Sequence, residues 1–430
     1  MSIGELVVVL GSVALVVSRW LPSAARRPTA VAAVVVVLAG VAVGLPEIRW
    51  PVMLVLAADL LAAAVWLLRR RRWPAVSASV ACLALIAAGG GAAWALPVPE
   101  FPEPSGPAAV GTSVMQWADP ARDQRPVVVQ LWYPAQAVSP GAPRAQYLGR
   151  TRREAKTVAA AEAAYLGAPA FVLDGPTRAH SHAVVDATPA AGRFPVVLFS
   201  PGLGGVRTQN TAWAEDLASR GYLVAGVDHP YDSAAVILAD GRTLRTRVTA
   251  DGDRAAWVAA RAADLRFVLT RLGGVGPADT TRAAATGHSI GGAAAMRAAE
   301  QDPRFTAVVN LDGGPDPDQG PLRQPVLALT HELKDRADTD YVALLSKILG
   351  GGSATSYRLT VPGSAHLTFT DAPLFLPPVP SLAGSLGRTA SVRMTVETTA
   401  AFLDTTLRGS TADLPAALSR HGELHTMPAG

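Results

Sequence analysis

The pentapeptide Gly287-His288-Ser289-Ile290-Gly291 has the spacing G-x-S-x-G and occurs once in the chain. That spacing sets a serine on a sharp strand-to-helix turn, with its hydroxyl clear to act as a nucleophile in acyl transfer. The flanks suit the turn. Residues 283–286 read as a short strand, and residues 292–300 are Ala-rich and read as a helix. The glycines answer the crowding of such a turn, where a side chain would strike the neighbouring strand or helix.

A serine nucleophile needs a base, an acid and donors for the oxyanion, and in this kind of turn the order along the chain is Ser, acid, His. The downstream histidines are His331, His366, His421 and His425. His366 lies in a loop after a late strand, in Val361-Pro362-Gly363-Ser364-Ala365-His366, and is the expected base; His421 and His425 fall in the tail after the last helix. The acid stays open between Asp312, which ends the strand after the nucleophile helix, and Glu332 or Asp335 after the next strand. One oxyanion donor is expected from the Ile290 N–H, and the second from Leu203 in the glycine-rich loop Ser200-Pro201-Gly202-Leu203-Gly204-Gly205. His180 and His182 stand two apart without a third ligand, so they read as structural and no metal site is expected. His229, after another strand, reads as packing near the active edge.

These residues need a scaffold that brings strand ends together. Strands are expected at 127–133, 195–199, 222–227, 283–286, 307–311, 325–329 and 357–361, with helices at 208–220, 256–272, 292–300 and 389–407. Strands alternating with helices predict an α/β fold, a mostly parallel sheet covered on both faces, with chemistry at the C-terminal strand ends. The element order and the elbow together predict the α/β-hydrolase fold.

The first hundred residues differ from the rest. Apolar stretches at 28–45, 51–68 and 74–96 approach or reach the roughly 20 residues that cross a bilayer, and 3–17 is a shorter fourth. A bundle of three or four transmembrane helices is therefore expected over 1–98, a Pro-rich linker over 99–107, and the catalytic domain over 108–430. Arg69–Arg72 form the most basic loop, with Arg19, Arg26 and Arg27 in another, so both are expected inside and the catalytic domain outside the cytoplasm. The chain is thus expected to be a multi-pass protein of the cell membrane. Asp59, in mid-span, reads as a polar contact within the bundle. The net charge of +4 arises mostly in this region: residues 1–104 hold eight Arg against five acids, leaving thirty basic and twenty-nine acidic residues downstream. A near-neutral soluble part argues against a nucleic-acid partner. The single cysteine, Cys82, excludes a disulfide framework.

Three segments carry a resemblance to a known family: FPVVLFSPGLGGVRTQNTAWAEDLASRGYLVAGVDHPY at 194–231, GHSIGGAAAMRAAEQDPRFTAVVNL at 287–311, and PGSAHLTFTD at 362–371. Over about residues 108–410 the chain resembles the plasma-type platelet-activating factor acetylhydrolases and looks like a bacterial, membrane-anchored relative of them. The resemblance implies that the acid is Asp312, that the oxyanion donors are Leu203 and Ile290, and that short or oxidised acyl esters of phospholipids are cleaved without calcium or another cofactor. Departures bear on substrate preference. Pro201 stands where the family has His, the segment between Leu272 and Thr286 is short, and the animal enzymes have no such spans. Rival readings are a cutinase-like polyester hydrolase, a membrane-tethered acyltransferase and a non-hydrolytic sensor. The first often carries a disulfide, and the last would be expected to lack a triad member.

Overall fold

The computed structural model describes residues 1–44, 48–67, 72–139, 141–249 and 252–430. Two compact units divide the chain, Met1–Val98 and Pro99–Gly430. The first holds α1 (Ile3–Ser18), α2 (Ser23–Gly44), α3 (Trp50–Leu67) and α4 (Arg72–Ala95). A capping box starts α1: the Glu5 N–H donates to the Ser2 hydroxyl, and the Ser2 N–H donates to the Glu5 carboxylate. Glu5 also pairs with Arg49 at 2.7 Å, so a buried acid has its cation. Asp59 accepts the Ser12 hydroxyl at 2.8 Å, a polar contact between α1 and α3.

The expected three or four membrane-length helices come down to two among the described residues, α2 and the 75–95 part of α4. By length and composition these two suffice to cross a membrane. The reason is geometric. At 1.5 Å per residue the 16 residues of α1 rise only ~24 Å, short of a hydrocarbon core of about 30 Å. The apolar part of α3 is also too short. Arg69, Arg70 and Arg71 lie outside the described residues.

The second unit is built on an eleven-stranded mixed sheet. Its strands are β1 (Ala109–Asp119), β2 (Arg125–Ala135), β3 (Arg144–Gln146), β4 (His180–Val185), β5 (Phe194–Ser200) and β6 (Leu223–Asp228). After the small hairpin β7 (Ala235–Ile237) and β8 (Thr243–Arg245) come β9 (Ala278–His288), β10 (Phe305–Leu311), β11 (Val326–Thr330), β12 (Ser356–Thr360) and β13 (Glu423–Met427). The helices are α5 (Arg152–Tyr165), α6 (Thr211–Ser219), α7 (Arg254–Leu272), α8 (Ile290–Gln301), α9 (Arg336–Gly350), α10 (Pro380–Ala383), α11 (Arg388–Arg408) and α12 (Leu414–Ser419). The order is β13-β12-β11-β10-β9-β5-β6-β2-β1-β4-β3. From β12 to β6 every neighbouring pair is parallel, whereas β2, β3 and β13 run antiparallel to their partners.

Alternation decides which face each strand residue serves. Val196, Leu198, Ala283, Ala285, Val308 and Val326 join a core closed by α7, α8 and α9. On the other face Phe199 packs on Trp213 of α6 at 5.5 Å, and the Trp213 indole donates to Thr399 of α11 at 2.8 Å. The parallel strands are buried on both sides, which is why they read as unbroken apolar runs. His425, expected in a surface tail, belongs to β13 and pairs opposite Arg358. The Pro-rich 99–107 segment, expected to be a linker, is part of the second unit and packs within it: Phe101 meets Tyr147 edge-on at 4.9 Å, and the Ser105 N–H donates to Asp216 at 2.9 Å.

Phe402 and Leu403 anchor α11, and neither is exposed. Phe402→Ala is expected to destabilise the second unit by about 3–5 kcal/mol, measured as a fall in the urea midpoint with an unchanged m-value.

Candidate active site

β9 ends at His288 and α8 begins at Ile290, so Ser289 alone makes the turn, at φ 56° and ψ −126°. A side-chain-bearing residue in this region costs roughly 1–3 kcal/mol and persists only where its surroundings hold it. Here the Ser289 N–H donates to the Leu311 carbonyl at 2.9 Å, and the Gly292 N–H donates to the Ser289 carbonyl at 2.9 Å. A Cβ at Gly291 would lie 2.0 Å from the Ser200 oxygen, and one at Gly287 would lie 2.2 Å from Gly291. Neither position has room for a side chain.

Asp312 follows β10, also at positive φ (57°), a conformation Asp tolerates better than most residues. The residue is 4 % exposed and its carboxylate is fully buried. Nδ1 of His366 lies 2.6 Å from Oδ2, Nδ1 of His331 lies 2.8 Å from both oxygens, and the Tyr341 hydroxyl donates to Oδ1 at 2.7 Å. The His331 N–H donates to Oδ1 at 3.0 Å. Burial alone would raise the Asp312 pKa, but the hydrogen bonds from His331 and His366 outweigh it and hold the carboxyl well below the usual range. Both imidazoles present Nδ1–H to the carboxylate, which turns Nε2 of His366 away from it. Nε2 of His331 instead lies 3.0 Å from Asp338. Glu332 and Asp335 do not reach His366. Asp335 caps α9, and Glu332 is half-exposed beside Lys334.

The N–H groups of Leu203 and Ile290 donate to no protein acceptor among the described residues, and both residues line the same cavity as Ser289. Buried groups hold the Leu203 loop in place. Arg261, on α7, has no exposure; it donates to Asp232 at 2.5 and 2.6 Å, to the Gly202 carbonyl at 3.0 Å and to the Pro201 carbonyl. His229 bridges Ser200 and Asp264, at 2.9 Å on each side. Nε2 of His288 must carry the proton it gives to the His366 carbonyl at 2.9 Å, because a carbonyl only accepts. Nδ1 then accepts from the Gln209 amide at 3.1 Å, and the Gln209 oxygen accepts the Gly202 N–H at 2.9 Å. Burial, and then the neighbouring His366, push the His288 pKa down to about 3, so it stays neutral in this chain of bonds.

Ser289, Asp312, His366, Leu203 and Ile290 all line one cavity of about 480 Å³, with Trp257, His331 and Tyr341. Ser289 and His366 are not hydrogen-bonded to each other here, and such contacts commonly tighten only around substrate. Asp312, His331 and His366 also bring ligand atoms within 4.8 Å of one another, close enough for a cation, although those atoms already bond to each other. His180 and His182 sit on β4, where Nε2 of His182 meets the Phe101 carbonyl at 3.0 Å. Sequence reasoning missed Arg261, Gln209 and Tyr341, and placed His331 only among candidate bases. Arg261 left a signal: it interrupts the apolar stripe of Trp257, Leu265, Val268 and Leu272.

Hydrogen bonding to Asp312 raises His331 to about 9, against 6.5 unperturbed. The folded protein therefore binds this proton more tightly than the unfolded chain. The stabilisation is fully present below about pH 6.5 and is lost as pH rises through about 9. Unfolding free energy is expected to fall between pH 6.5 and 9, and the fall should be smaller in His331→Gln, as measured by denaturant titration at each pH.

Comparison with known proteins adds the family. The family described as platelet-activating factor acetylhydrolase, isoform II, matches residues 96–264 and 252–416. A probable 1-alkyl-2-acetylglycerophosphocholine esterase of Arthroderma benhamiae is 31% identical, over 43% of this chain and 50% of its own. A platelet-activating factor acetylhydrolase of Gallus gallus is 27% identical, over 42% of this chain and 53% of its own. The chain thus spans about half the length of these curated relatives. The structure of a ferulic acid esterase from Streptomyces cinnamoneus aligns with a TM-score of 0.64 at 32% identity, covering 77% of this chain and all of that one. With a family match across most of the second unit, an elbow serine and an Asp–His pair in one cavity, the chain belongs to the platelet-activating factor acetylhydrolase, isoform II, family of ester hydrolases.

Proposed function

We propose that the chain is a serine esterase that cleaves carboxylic esters through an acyl-enzyme, with short-chain or phospholipid acyl esters as substrates. Ser289 attacks the carbonyl, and His366 takes its proton. Asp312 fixes the imidazole tautomer, and the Leu203 and Ile290 N–H groups receive the oxyanion. A water activated by His366 then releases the acid. The observation that carries the reading is the 2.6 Å Asp312–His366 contact in the wall of the Ser289 cavity. No step calls for a metal or cofactor. Esters of aromatic acids are a second reading, favoured by the likeness to the ferulic acid esterase over that chain's whole length and by Trp257 and Tyr341 in the cavity wall.

Ser289→Ala is expected to lower p-nitrophenyl acetate turnover by about 10⁴–10⁶ and to abolish fluorophosphonate labelling, with circular dichroism unchanged. Asp312→Asn should cost about 10⁴ by favouring the wrong tautomer, while Glu332→Gln and Asp335→Asn leave turnover near wild type. A deleterious Glu332→Gln or Asp335→Asn with a harmless Asp312→Asn would reassign the acid. Comparing an acetylated phospholipid with methyl ferulate ranks the two substrate readings by kcat/KM.

The first unit, on this reading, embeds the chain in the cell membrane through α2 and α4, with the catalytic unit outside the cytoplasm; two crossings with Arg69–Arg72 inside put Arg26 and Arg27 outside, so of the two basic loops expected inside only the Arg69–Arg72 loop stays there. The support is composition: Arg69–Arg72 form a basic flank at the start of α4, and basic flanks stay inside. Alkaline phosphatase fused after Pro107 should be active, and neutralising Arg69–Arg72 should lower that activity. An inactive phosphatase beside an active cytoplasmic reporter at the same junction would put the site inside.

A further inference from the structure

Two histidines, not one, address the buried Asp312 carboxylate, and the esterase mechanism uses only His366. His331 follows directly on β11, the neighbour of β10 in the sheet. Beside it α9 brings Asp338 and Tyr341, which stand three apart and so share a helix face. Nδ1 of His331 lies 2.8 Å from each Asp312 oxygen, Nε2 lies 3.0 Å from Asp338, and the ring stacks on that of Tyr341 at 6.0 Å and 19°. A carboxylate only accepts, so both nitrogens of His331 carry protons and the ring is a cation. With Nε2 committed to Asp338, His331 offers no lone pair to Ser289 and cannot serve as a second base. Its charge nevertheless stands close to the first one: a nitrogen of each imidazole and an Asp312 oxygen all lie within 4.8 Å of one another.

We propose that His331 is a positioning residue of the esterase, whose charge, set between Asp312 and Asp338, tunes how readily His366 takes up a proton. The inference rests on the esterase reading, in which His366 is the base. The effect is Coulombic. Around a neutral His366 stand two carboxylates, Asp312 and Asp338, and one cation. Removing the cation leaves both negative charges unopposed, which favours protonated His366, so the free base appears only at higher pH. Removing the charge of Asp338 does the reverse. At the effective dielectric of a protein, unit charges about 5 Å apart move a titration by about one to two pH units, and the half-exposed His366 ring brings that toward one. Hydrogen bonding to Asp312 keeps His331 charged to about pH 9, so the cation is present throughout the range in which an imidazole base ionises. The other titratable groups facing the pair do not supply this charge. Tyr341 donates to Asp312 and is held neutral by burial, with Arg358 of β12 acting on it, and His288, 4.6 Å from the His366 ring, is neutral. Glu332 pairs with Lys334, and Arg254 in the cavity wall pairs with Asp316.

The test is the pH profile of kcat/KM for p-nitrophenyl acetate, on the full chain in a maltoside detergent, in His331→Asn and Asp338→Asn. Asparagine places its amide nitrogen where Nδ1 stands, so His331→Asn keeps a donor to Asp312 and loses the charge. The acidic limb of the profile reports the base of the free enzyme. It is expected to move up by about one pH unit in His331→Asn, about a tenfold loss of kcat/KM below the limb, and down by less in Asp338→Asn. Opposite displacements separate charge from packing, because a loosened cluster moves both profiles alike. The same shifts should appear in the His366 ring signals of Ser289→Ala protein carrying isotope-labelled histidine, assigned by His366→Gln, a readout by NMR without turnover. An unmoved His366 titration in His331→Asn, or displacement of both variants in the same direction, would overturn the proposal. Should His331→Asn fail to fold, Asp338→Asn alone carries the test through its downward shift. A titration that moves as expected while the activity limb stays would uphold the charge effect and remove His366 as the base, a failure of the esterase reading instead.

Discussion

The Asp312 carboxylate, fully buried, keeps its charge because every polar neighbour it has is a donor. Four parallel strands arrange this. Adjacent in the sheet, β9, β10, β11 and β12 end within a residue or a short loop of Ser289, Asp312, His331 and His366. The strand ends are also bonded to one another: the Ser289 N–H donates to Leu311 at the end of β10, and the Asp312 N–H donates to Leu329 of β11. Register and site geometry are therefore one property. A slip of one residue in β10 would turn Asp312 to the other face and leave both imidazoles without their acceptor.

The oxyanion loop is held differently, by charge beneath it. Among the described residues Arg261 has as partners Asp232, the Ser200 hydroxyl at 3.3 Å and the loop's own carbonyls, so full satisfaction of its buried cation needs Pro201 and Gly202 to present those carbonyls inward. The next N–H, that of Leu203, has no protein acceptor among the described residues. Gln209 and His288 tie the same loop to the backbone of His366. Loss of one member of such a buried pair costs about 3–5 kcal/mol, so the loop's conformation is coupled to the stability of the unit.

Sequence legibility follows the range of the interactions. The elbow was readable because its constraints are local, in two glycines packed against neighbouring backbone. The parallel strands were readable because burial on both faces makes them continuously apolar. The outer strands β1, β3, β4 and β13 escaped because one-sided burial mixes polar residues into them: β1 alternates toward exposure, and β13 contains Glu423, His425 and Thr426. The two carboxylate positions could not be separated by order along the chain. Asp312 and Asp335 both follow strands, and the difference lies in a cap: Asp335 is engaged at the start of α9. Arg261, Gln209 and His288 meet only in the folded chain, from α7, the loop before α6 and the end of β9.

His331 alters the electrostatics that the proposed mechanism would use. Its imidazolium balances Asp312, and its far nitrogen meets Asp338, so two carboxylates surround one fixed cation. With His366 neutral, this cluster carries one excess negative charge. When His366 takes the Ser289 proton the cluster becomes neutral, and the remaining negative charge sits on the oxyanion, facing the Leu203 and Ile290 N–H groups and the N-terminus of α8. The ground state thus holds the negative charge that the imidazolium will need, in a position that His331 and Tyr341 keep from collapsing onto His366. On this account the second histidine lets Asp312 stay ionised in a buried setting before any proton moves, and Asp338 supplies the excess charge that favours the move.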